Sequence, residues 1–94
     1  MTAIEIKRKL NAFQFWPGIN FRLFNSQIKI HKLNISEVIL SPGEIQIVNN
    51  ILRIGTTTTA IDIIELQPEN KKSMTATDYI NGKKGVMPKF VEGL

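Results

Sequence analysis

Between Ile19 and Leu66 the apolar residues recur at every second position, in short runs separated by turn residues. A period of two sends alternate side chains to opposite faces of a strand, so this stretch is predicted to form a sheet with one covered face. Ile19, Phe21 and Leu23 alternate with Asn20 and Arg22, and Asn25-Ser26 offers turn chemistry before Gln27-Ile28-Lys29-Ile30-His31 resumes the pattern. That spacing predicts a hairpin. The inward set then slips from Ile28 and Ile30 to Leu33 and Ile35, and a one-residue bulge restores inward facing while bending the strand. After the turn signal Ser41-Pro42-Gly43, Glu44 to Val48 alternates again, Asn49-Asn50 suits a tight left-handed turn, and Ile51 to Ile54 returns as a second hairpin. The β-branched run Thr56 to Thr59 reads as a loop or strand edge, and Ala60 to Leu66 as a fifth strand ended by Pro68.

Helical spacing is confined to the two ends. Thr2 and Glu5 have the separation of a reciprocal capping box, and Ala3, Ile6, Leu10 and Phe13 form one apolar stripe, which predicts a helix to about Ala12. Pro17 lacks an N–H and disfavours helical geometry at Trp16, so Phe13 to Gly18 is read as a turn with its aromatic rings folded on the core. A polar loop from Gln67 to Ser73 leads to a short helix starting near Ser73 or Thr75, capped by Thr75 and Asp78, burying Tyr79 and Ile80, and ending at Gly82. Lys83 to Leu94 is expected to be an irregular, frayed tail. The expected fold is mainly β, a small barrel of about five strands resembling the oligonucleotide/oligosaccharide-binding fold, with a short helix at each end. With 94 residues, a single domain spanning 1–94 accounts for the chain.

Several chemistries lack their residues. There is no Cys, which removes disulfides, thiolate metal sites and cysteine nucleophiles. The lone histidine, His31, alternates onto the polar face with Lys29 and is assigned a solvated or packing role. The carboxylates Glu37, Glu44, Asp62 and Glu65 fall on different predicted strands and loops, and the spacing of Gly18, Gly43, Gly55, Gly82 and Gly85 forms no phosphate cradle. Neither a metal nor a cofactor is implied for this chain, and no catalytic residue is assigned. The first ten residues mix charges where a secretion signal needs an apolar run, so the cytoplasm is the expected compartment and no membrane partner is expected.

Positive charge remains. Twelve Lys and Arg against eight Asp and Glu give a net charge of +4, which favours a polyanion only if the charge gathers on one face. Arg22, Lys29 and Arg53 are predicted to project from the polar sides of strands, while Lys71, Lys72, Lys83 and Lys84 flank the last helix. These seven are the candidate RNA-binding residues, and spacing alone weighs them equally against a solvated rim of cations.

Two stretches resemble a known family. Ile6 to Gly18, with Ala12-Phe13 and Trp16-Pro17-Gly18, is similar to the start of the C-terminal domain of methionyl-tRNA formyltransferases, where a basic helix precedes Arg-Ala-Phe or Arg-Ala-Leu and Asn-Pro-Trp-Pro-Gly. Asn11, Gln14 and Phe15 depart from that pattern. Leu66-Gln67-Pro68-Glu69-Asn70-Lys71-Lys72-Ser73-Met74 resembles the family's Leu-Gln-Pro-Glu-Gly-Lys-Lys-Arg-Met, with Asn70 able to share the glycine's left-handed backbone.

The resemblance implies an enzyme that transfers a formyl group from 10-formyltetrahydrofolate to the amino group of methionyl initiator tRNA. In it, this chain is the tRNA-binding C-terminal domain, and the Rossmann-like N-terminal catalytic domain, a partner in the parent enzyme, is expected to be absent. Two alternatives stay open: the C-terminal barrel of another formyl-transfer enzyme acting on a sugar nucleotide or folate, and a module that docks protein through Phe15, Trp16 and the first helix.

Overall fold

The computed structural model describes residues 2–12, 19–84 and 86–94. The aromatic turn expected over Phe13 to Gly18 lies outside them. Helix α1 (Ala3–Ala12) leads to strands β1 (Ile19–Leu23), β2 (Ser26–Ile35), β3 (Ile45–Val48), β4 (Ile51–Ile54), β5 (Ile61–Pro68) and β6 (Met74–Thr75), then helix α2 (Ala76–Gly82). All strand pairs are antiparallel, in the order β1-β2-β5-β4-β3, with β6 added to β5. The fold is therefore mainly β with a short helix at each end. The sheet has one strand more than expected, and its ladder stays open between the edge strands β1 and β3.

Alternation produces the core directly. Ile19, Phe21 and Leu23 of β1 and Ile28 and Ile30 of β2 point inward, joined by Leu52, Ile54, Ile61, Ile63 and Leu66. Registers between β2 and β5 shift around Lys32, between Ile30 and Leu33, which is the predicted bulge. Leu33 is buried beyond it, whereas Ile35, expected inward, is 41% exposed at the end of the strand. Helix α1 covers the core with Ala3, Ile6 and Leu10. Its first turn is fixed by the capping box, the Thr2 N–H donating to Glu5 Oε1 at 3.0 Å and the Glu5 N–H to Thr2 Oγ1 at 3.1 Å.

The two hairpins use two-residue turns with both central residues left-handed, the geometry that matches strand twist. Asn49 and Asn50 have φ of 51° and 64°, as the sequence predicts. In the first hairpin the turn falls on Phe24 and Asn25, at 51° and 58°, one residue earlier than expected. β5 also runs two residues past Leu66, so that Gln67 is in the strand and not in the loop.

The tail overturns the expectation of fraying. The Ile45 N–H donates to the Lys89 carbonyl at 2.7 Å and the Val91 N–H to the Gly43 carbonyl at 2.8 Å, while Arg22 and Glu92 exchange both backbone bonds at 2.8 and 3.1 Å. Isolated bridges thus join the tail to β1 on one side and to the residue before β3 on the other. Val91 is buried, and Met87 and Leu94 pack against the core. Gly43 leaves room for this seam, since its φ is +81° and a Cβ there would lie 3.0 Å from the Val91 carbonyl oxygen.

Candidate nucleic-acid interface

The β1–β2 hairpin carries its tip toward the start and end of α2. On the outward side of β1 and β2, Asn20 pairs with Lys29 and Arg22 with Gln27, and Lys29 in turn faces Gln67 of β5. Two of the predicted cations, Arg22 and Lys29, therefore share one strand surface. Gln67 links that surface to the next loop: its Oε1 lies 2.8 Å from His31 Nε2, and its Nε2 donates to the Lys71 carbonyl at 2.9 Å. With the amide in this orientation, His31 carries a proton on Nε2 and both amide atoms are satisfied. His31 thus holds a strand-to-loop contact, a specific form of the solvated or packing role expected of it.

Lys71 and Lys83 come together. Both line a groove of about 240 Å³ whose walls include Phe24, Met74, Asp78, Tyr79 and Glu69. The Lys83 ammonium stands 5.1 Å from the centre of the Phe24 ring and 5.6 Å from that of Tyr79, within cation–π range of both. Burial raises the Tyr79 hydroxyl above its ordinary pKa of 10.0, which keeps it neutral beside the lysine. Glu69 and Asp78 temper the positive charge of the groove, although Glu69 Oε1 is engaged by the Gln27 N–H at 3.2 Å. Lys72 is exposed on the same loop, where Asn70 takes the expected left-handed backbone at φ 63°. Lys84 is exposed just past α2.

Arg53 is paired within the sheet. Its Nε lies 2.8 Å from Asp62 Oδ1, its Nη2 3.4 Å from Oδ2, and its Nη1 donates to Gln46 Oε1 at 3.1 Å. The register places Arg53 directly across from Asp62, and the hydrogen bond to that carboxylate raises the guanidinium pKa further. Arg53 is thus held by its cross-strand neighbour and does not line the groove of Lys71 and Lys83.

Phe24 escaped the sequence reading altogether. It is 47% exposed at the hairpin tip and also lines a second cleft together with Arg22. Arg22, Lys71 and Lys83 thereby surround one aromatic residue. The available signal was an aromatic residue beside Asn25 at a position where a turn favours Gly or Asn.

Fold and tip together define a small antiparallel β domain with an apolar core and, at one hairpin tip, two clefts that share Phe24, one lined by Lys71 and Lys83 and the other by Arg22. Residues 1–84 match the family described as formyl transferase, C-terminal domain, and the chain belongs to that family. Among its relatives is a methionyl-tRNA formyltransferase of Koribacter versatilis, 37% identical over 82 residues that make up 86% of this chain and 26% of the relative. The corresponding enzyme of Campylobacter curvus is 36% identical, with 87% of this chain and 27% of the relative covered. The chain thus spans about a quarter of the length of the curated relatives it matches. The crystal structure of HypX from Aquifex aeolicus in complex with tetrahydrofolic acid superposes with a TM-score of 0.73 at 17% identity, covering 100% of this chain and 19% of that one. At that identity the likeness establishes the fold alone.

Proposed function

We propose that this chain is the tRNA-binding C-terminal domain of a methionyl-tRNA formyltransferase, acting in the cytoplasm. The parent enzyme passes the formyl group of 10-formyltetrahydrofolate to methionyl initiator tRNA. The meeting of Lys71 and Lys83 in one groove, with Arg22 in a second cleft that shares Phe24, is the observation that carries this reading. Lys29, Lys72 and Lys84 extend the cationic surface from the hairpin to the end of α2. Such groups attract the phosphate backbone without reading sequence, so they orient the RNA while the parent's catalytic domain does the chemistry. The methionyl-tRNA formyltransferase relatives favour this reading over the sugar-nucleotide and folate alternatives.

Filter binding of initiator tRNA at two salt concentrations tests it. Three phosphate contacts, from Arg22, Lys71 and Lys83, give a log–log salt slope of about −2.7 on duplex RNA treated like a DNA double helix. Lys71→Glu and Lys83→Glu are expected to weaken binding more than Arg8→Glu, the same charge change on exposed α1. Equal effects of the three reversals, or binding indifferent to salt, would overturn the assignment.

A further inference from the structure

Two half-exposed aromatic rings stand beside the cations and take no part in phosphate contact. Phe24 is 47% and Phe90 54% exposed, and both line one cleft of about 230 Å³ with Arg22, Asn25, Pro88 and Glu92. The two rings come from segments 66 residues apart, yet their backbones are fixed to one another. Arg22, two residues before Phe24, exchanges backbone hydrogen bonds with Glu92, two residues after Phe90, while the Phe90 backbone is also bridged to Glu44. Phe24 is the wall shared with the Lys71 and Lys83 groove. Arg22 has an exposed side chain with no ion partner among the described residues.

We infer that this cleft binds one unpaired nucleobase of an RNA, stacked on Phe24 and Phe90, with Arg22 and Lys83 meeting the phosphates on its two sides. The inference rests on the RNA-binding reading and adds to it a site for a base. Aromatic rings on fixed backbone next to cations are the elements that hold single-stranded RNA, because every base offers a π-face and every linkage a phosphate. Glu92 in the same cleft repels a phosphate there, and it can accept a hydrogen bond from the exocyclic amine of a base. A base inside and phosphates outside is the arrangement those charges favour. Phe90 lies beyond residues 1–84, so the family match does not assign this site.

The test compares a blunt RNA hairpin with the same hairpin carrying a four-nucleotide unpaired adenosine overhang, titrated against the chain under one salt condition. The overhang is expected to tighten binding about 10-fold, within the range that base–aromatic stacking contributes. Phe90→Ala should abolish most of that preference while leaving blunt-hairpin affinity in place, and Phe24→Asn, chosen because asparagine suits a left-handed turn, should abolish most of it as well. Ring-proton shifts of Phe24 and Phe90 on addition of the overhang RNA report stacking independently of affinity. Blunt and overhang RNAs bound equally, or a preference that survives both substitutions with no ring shifts, would overturn the base site and leave the phosphate-binding reading standing. If neither RNA binds at low salt, both readings fall together.

Discussion

Phe24 shows how far a single position can depart from its local rules. A bulky side chain costs about 1–2 kcal/mol in the left-handed region that Asn tolerates, and the turn chemistry of Asn25-Ser26 predicts the turn one residue later than it falls. Tertiary pairing overrides that preference: the register of Leu23 with Ser26 leaves only Phe24 and Asn25 for the loop. Phe24→Asn is therefore expected to stabilise the fold by about 0.5–1 kcal/mol, read as an upward shift of the urea midpoint at unchanged m-value. A lower midpoint would mean that the Phe24–Lys83 contact outweighs the backbone strain. Arg53 illustrates a different limit of local rules. Its outward direction was legible from alternation, but its partner depends on β4 pairing with β5, and the sequence pattern gives strands without their neighbours.

Elements were legible wherever hydrogen bonding is local. Thr2 and Glu5, and Thr75 with Asp78, cap their helices as spaced, and the bulge in β2 sits where the alternation slips. β6 was hidden because two residues carry no periodicity, and Met74 and Thr75 become a strand only by pairing with Leu66 and Glu65. The α1 capping box also makes a pH prediction. Backbone and side-chain hydrogen bonds with Thr2 lower the Glu5 pKa below its ordinary 4.5. A depressed folded-state pKa gives stability that is complete above the unfolded value and is lost as pH falls through the lower folded one. Glu5→Ala should thus lower the melting temperature at pH 7, and the gap to the unmodified chain should narrow as the pH is taken below 4.5. Thermal melts followed by far-UV circular dichroism read both effects, and a gap constant with pH would exclude the carboxylate as the cap.

For the whole molecule, the tail is what joins the ends of the sheet. A Gly- and Pro-containing stretch after the last helix reads as frayed because its own residues show no strand pattern, while the groups that hold it lie far away in sequence: Arg22 on β1, and Gly43 and Ile45 before and at the start of β3. Without it, β1 and β3 present unpaired edges, and an open edge recruits further strands. Truncation after residue 85 removes four backbone hydrogen bonds to the edges and the buried Val91. The loss, offset in part by the chain entropy of the released segment, is expected to be on the order of 2 kcal/mol in urea unfolding. Association should appear together with it, as a concentration-dependent increase in mass by light scattering, because the same cut that lowers stability frees the edges. Since the tail also supplies Phe90, the truncated chain should lose its preference for unpaired RNA while retaining Lys71 and Lys83 for phosphate contact. A truncated chain that stays monomeric and equally stable would show that the sheet is complete in residues 2–84, and that the tail serves only to carry its aromatic ring.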